Sequence, residues 1–159
     1  KTYGVYSSFK SYRQTGLFTV GVSTRNPETV STIELILKEM ELVRKSGVSN
    51  HELNQAKGNL IGSYPRRLET TNAIAFRVLR AIFNDLGIDS VRNYRQDLAA
   101  VTLKKVNKSA KRYVHPDDAI IVVVGKASEI QPELEKRFGP VEVVPYLEYT
   151  HKVDQNIVN

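Results

Sequence analysis

Leu17-Phe18-Thr19-Val20-Gly21-Val22-Ser23-Thr24-Arg25-Asn26-Pro27-Glu28 is where the chain changes its period, and that change decides the fold class. Up to Thr24, Phe18, Val20 and Val22 share one face, with smaller or polar groups on the other. This is the pattern of a half-buried β-strand. Asn26-Pro27-Glu28 then reads as a helix start, with an N-cap side chain, a proline in the first turn and an acid near the positive end of the dipole. Beyond it the apolar residues recur every three or four positions, at Val30, Ile33, Leu37, Met40 and Val43, with Ile36 widening the stripe.

Upstream, Lys1-Thr2-Tyr3-Gly4-Val5-Tyr6-Ser7-Ser8-Phe9 has strand composition. Two strands, roughly 2–12 and 17–24, are expected as a hairpin through Arg13-Gln14-Thr15-Gly16, where Gly16 supplies the positive-φ turn position. The chain opens in strand pattern without an initiator Met or a polar lead-in, so it reads as continuing from preceding residues.

Downstream, Gly47 ends the first helix, and Ser49 with Glu52 forms a capping box for the next. Pro65 is expected to break that helix near Ser63-Tyr64-Pro65, because it lacks a backbone donor. Helical spacing resumes through Leu68, Ala75, Leu79, Ile82 and Phe83. A short helix follows Gly87, capped by Asp89 or Ser90, and Thr102 opens another that ends before His115. The apolar run 119–124 predicts a central strand buried on both faces. A helix over 127–138, with Ser128 as its cap, and an edge strand over 141–144 follow. The expected architecture is α+β, a mainly antiparallel sheet with helices packed on one face, in the order β-β-α-α-α-α-β-α-β. Residues 1–144 form a single domain in this reading, and 145–159 a loosely ordered tail.

Composition narrows the function classes. At 159 residues the chain can bury roughly two-thirds of its unfolded surface. It has no cysteine, which excludes a disulfide scaffold and any Cys-based zinc site. No apolar run approaches membrane-spanning length. The expectation is a soluble protein, cytoplasmic or periplasmic if bacterial. The net charge of +6 admits nucleic acid, an anionic membrane or acidic peptides as partners. The densest cluster, Lys104, Lys105, Lys108, Lys111 and Arg112, reads as a solvated helix face, because no aromatic interleaves with it to stack on bases. Nucleic acid is therefore not expected as a partner.

Local motifs give little catalysis. His51-Glu52-Leu53-Asn54-Gln55 has the start of a zincin helix, but Gln55 stands where a second histidine is needed, and the capping box accounts for Glu52. His51, His115 and His151 fall in a helix start, a loop and the tail, so no metal ligands are assigned to this chain. Gly62-Ser63-Tyr64-Pro65 lacks the second glycine of a nucleophile elbow. Gly125-Lys126-Ala127-Ser128 lacks the upstream glycine of a phosphate loop.

Three segments in register carry more information. They are Thr2-Tyr3-Gly4-Val5-Tyr6-Ser7-Ser8-Phe9; Gly62-Ser63-Tyr64-Pro65-Arg66-Arg67-Leu68-Glu69-Thr70; and Ala100-Val101-Thr102 with Tyr113-Val114-His115-Pro116-Asp117 and Val122-Val123-Val124-Gly125. Their order and spacing resemble the C-terminal half of the pitrilysin (insulinase) type zinc metallopeptidases, nearest to the bacterial branch similar to the mitochondrial processing peptidases.

The resemblance implies that a homologous domain or subunit carries an inverted HxxEH motif and the zinc. This half then supplies an Arg and a Tyr from its leading strand to hold substrate and steady the oxyanion. Matching the Tyr-Gly and Ser-Ser-Phe elements places that phenol at Tyr3, with the Arg before Lys1. A three-residue slide would choose Tyr6 instead. Alternation puts the two tyrosines on opposite faces, so at most one looks into a cleft. Arg66 and Arg67 are candidates for facing a peptide substrate.

The implied function is the substrate-binding, non-zinc half of a zinc metalloendopeptidase, inactive alone. Its candidate partners are peptide substrate, the zinc-binding domain or subunit, and a second copy in a homodimer. Two alternatives differ in class: a catalytically inactive scaffold subunit of a peptidase complex, and a basic binding module whose affinity falls steeply with salt.

Overall fold

A computed structural model describes residues 4–12 and 15–145. The α+β class holds. A two-stranded antiparallel sheet, β1 (Gly4–Ser11) and β2 (Gly16–Ser23), leads the chain. Helices then follow: α1 (Thr29–Ser46), α2 (Asn50–Ser63), α3 (Thr71–Phe83), α4 (Asp89–Arg92), α5 (Tyr94–Ala99), α6 (Leu103–Tyr113) and α7 (Ala127–Phe138).

Local chemistry fixes most of the boundaries. Gly47 ends α1 at φ 73°, and its backbone lies so close to the Asn107 side chain that a Cβ would collide with it. Asn107 Oδ1 accepts from the Val48 N–H at 2.9 Å, which ties the α1–α2 corner to α6. Ser49 and Glu52 form the expected capping box. The Glu52 N–H donates to Ser49 Oγ at 3.2 Å, and the Ser49 N–H to Glu52 Oε2 at 2.7 Å. Pro65 ends α2 as expected, and Pro65–Leu68 make a 3-10 turn before Thr70 caps α3. Thr102 caps α6 through the Lys105 N–H.

Other caps differ from the sequence reading. Asn26 opens a 3-10 turn, Asn26–Glu28, without capping it. Its side chain donates instead to Glu129 Oε2 at 2.7 Å. Neither Asp89 nor Ser90 caps α4, whose N-cap position is Ile88; Ser90 Oγ turns back to the Gly87 carbonyl. Lys126, not Ser128, precedes α7, and no side-chain hydrogen bond caps it.

The expected strands over 119–124 and 141–144 are also different. Both segments lie outside helix and sheet, and no ladder forms on either among the described residues. Burial on both faces is corrected as well. Ile120, Val122 and Val124 are 92%, 81% and 97% exposed, against 39% and 37% for Ile121 and Val123. The period of two survives; what fails is burial, because a strand is buried only when neighbouring strands and a covering layer are supplied.

The chain divides into two compact units. Among the described residues, one gathers Val22–Leu35 and residues 120–145. It is centred on Thr29, Ile130 and Leu134, all buried, with Arg137 paired to Glu34 across its surface. The other gathers Val5–Gly21 and Ile36–Ala119, with Tyr64, Ala81, Ala110, Val114 and Pro116 as its buried residues among those described.

Candidate functional site

The hairpin has two chemically distinct faces. Phe9 and Phe18 stack with ring centroids 4.5 Å apart, which sets Val5, Phe9, Phe18 and Val20 on one face. On the opposite face the Tyr6 ring lies flat across Gly21 of β2, in the space a Cβ would fill. Only glycine admits that ring, so Tyr6 has a packing role in closing the hairpin. Its side chain nevertheless remains exposed. Tyr3, the first choice for a reacting phenol, lies outside the described residues.

Arg66 and Arg67 sit on the 3-10 turn Pro65–Leu68, both exposed. Among the described residues neither makes a side-chain hydrogen bond or ion pair, and no such contact joins them to Tyr6. The structure thus keeps these candidates separate. Beside them Tyr64 is buried, with 4% of its surface exposed, and is locked from three sides. Its hydroxyl donates to the Val91 carbonyl at 2.7 Å, its ring stacks on Tyr94 at 4.3 Å, and the Arg77 guanidinium lies 5.1 Å from the ring centre. This cluster joins α3, α4 and α5 to the residue that follows α2. No local sequence pattern announces it, because stacking between Tyr64 and Tyr94 is a tertiary event.

Zinc does not fit the described residues. Among them no group of three or more His, Cys, Asp or Glu side chains converges. His51 is exposed in the first turn of α2, Glu52 is committed to the capping box, and the His115 ring donates through Nε2–H to the Arg112 carbonyl at 2.8 Å. The Ser49 N–H, followed by the Ser49 hydroxyl, holds the Glu52 carboxyl below the usual carboxylate range, as a capping anion requires. No step of metal chemistry is therefore assigned to these side chains. Nor is any helix among the described residues long and apolar enough to cross a membrane.

Comparison with known proteins points in one direction. Residues 1–60, which contain the hairpin and α1, match the Peptidase M16 inactive domain. Over 127 residues the chain is 28% identical to a Bacillus subtilis (strain 168) protein described as an uncharacterized zinc protease, YmxG. The match covers 76% of this chain and 30% of that protein, so the chain spans under a third of the relative's length. Both findings support the resemblance to the C-terminal domain of a pitrilysin-type peptidase.

Proposed function

We propose that this chain, a pitrilysin-like C-terminal domain by the two matches above, is the substrate-binding, non-zinc half of a zinc metalloendopeptidase. The observation that carries the reading is the match of the leading hairpin and first helix to the M16 inactive domain. The relative of similar sequence is described as a zinc protease, which supports zinc in the parent protein or a partner. In this reading a homologous domain or subunit brings the HxxEH zinc site, and the hairpin brings a phenol.

Tyr3 is that phenol. As the carbonyl of a bound peptide is attacked, its oxygen gains negative charge, and a positioned O–H donates a hydrogen bond that strengthens as the charge grows. Tyr6 has the opposite strand parity and is occupied against Gly21, which favours Tyr3 for the reaching role. Arg66 and Arg67 offer exposed guanidinium groups to the carbonyls of the peptide.

The test uses the chain together with its zinc-bearing half. Tyr3→Phe is expected to lower kcat by about 10²–10³ with little change in KM, since one oxyanion donor is worth that much. Tyr6→Phe should stay near the wild-type rate. A large kcat loss at Tyr6→Phe with none at Tyr3→Phe would transfer the role to Tyr6. Unchanged kcat in both variants would remove the transition-state role altogether and leave the scaffold reading.

A further inference from the structure

The wall of Tyr64 opens on a recess that the proposed oxyanion chemistry does not use. It is an open depression of about 490 Å³. Its inner surface is apolar, made by Leu68, Ile74, Val91 and the Tyr64 ring, and its rim carries Arg92 and Arg95. The Tyr64 hydroxyl is already committed to Val91, so polar recognition falls to the rim.

That rim is short of negative charge. Arg92 has one exposed partner, Asp89, at 3.5 Å. Arg95 makes no ion pair among the described residues, and neither does Arg77, which sits over the Tyr64 ring. Two guanidinium groups, Arg92 and Arg95, thus line an apolar recess with a single carboxylate paired to either of them.

We propose that this recess binds the C-terminal residue of a peptide, its apolar side chain against Leu68, Ile74 and Val91 and its carboxylate on Arg95 and Arg92. The inference deepens the peptide-binding reading above and rests on it. Guanidinium pairs with carboxylate in a two-pronged geometry that fixes orientation as well as charge. In a peptide C-terminus the carboxylate and the apolar side chain leave the same Cα, which matches cations placed directly at the edge of an apolar floor. A phosphorylated side chain carries its charge at its tip and brings no apolar group beside it, so it fits this arrangement less well.

Fluorescence anisotropy on the full chain tests the proposal with a labelled hexapeptide ending in Val-Leu, as free acid, as C-terminal amide, and as an amide with an internal phosphoserine. The free acid should bind at least about tenfold more tightly than the amide, because a charge-assisted pair is lost in the latter. Arg95→Ala should abolish the difference, Arg95→Lys should retain part of it, and Ile74→Ser should weaken acid and amide alike. Arg95 is exposed, so circular dichroism should show Arg95→Ala folded. Equal affinity for acid and amide, tighter binding of the phosphopeptide, or an unaffected Arg95→Ala variant would each overturn the recess proposal. None of these outcomes touches the kcat loss at Tyr3→Phe, which tests the hairpin separately.

Discussion

Glu41 shows what a single side chain contributes on a largely solvated helix. Its carboxylate accepts from Arg44 Nε and Nη2 in a two-pronged pair, the latter at 2.6 Å, and from Lys45 Nζ at 2.7 Å. The Arg44 hydrogen bonds, followed by that of Lys45, lower its pKa from 4.5 to about 2. A folded value below the unfolded one means that the contribution is fully present above pH 4.5 and is lost as pH falls towards about 2. Glu41→Gln is therefore expected to lower the urea midpoint at pH 6 and flatten the acid limb between those values. An acid limb identical to wild type would assign it to other carboxylates. The spacing of Glu41 with Arg44 and Lys45 is visible in the sequence, since residues three and four apart meet on a helix. The environment of Tyr64 is not. Its neighbours Val91, Tyr94 and Arg77 arrive from three separate segments, and nothing beside Ser63 or Pro65 encodes their arrival.

At the scale of elements, what was legible follows the range of the interaction. Ser49 with Glu52, Thr102 with Lys105, the Gly47 stop and the Pro65 break act within one turn, and each stands where the sequence places it. Ser49→Ala is expected to cost about 1 kcal/mol, the usual worth of an N-cap, and to lower Tm by about 2–4 °C for a chain of this size. An unchanged Tm would mean that α2 is held by its packing alone. Asn26 shows the limit of such reasoning. It has every local feature of a cap, yet its amide is drawn to Glu129, a partner 103 residues away. Glu129 also accepts from Lys126 at 2.7 Å, and these two donors hold its carboxyl below the usual range, Lys126 the more strongly. Competition from a distant partner cannot be read from a four-residue motif.

At the scale of the whole molecule, the sequence conveyed that 119–124 seeks burial but not whether the described residues provide it. An apolar run states a demand, and only neighbouring strands and a covering layer meet it. The role proposed for the hairpin is an expectation carried by resemblance, whereas the recess beside Tyr64 emerges only when α3, α4 and α5 converge on the turn after α2. The segment from Ile120 to Val124 has a practical consequence. It carries no charge and no proline, is wholly β-branched, and turns Ile120, Val122 and Val124 to water. Those are the attributes of a self-templating amyloid segment. Stored concentrated without a partner strand, the protein should form thioflavin-positive fibrils faster as concentration rises, and Val122→Lys should suppress them by placing a charge on the exposed face. Clear, monomeric solutions of the unmodified chain at high concentration would show that these side chains are shielded in solution. Shelf life, not catalysis, would then be the first property to report whether the run has found its neighbour.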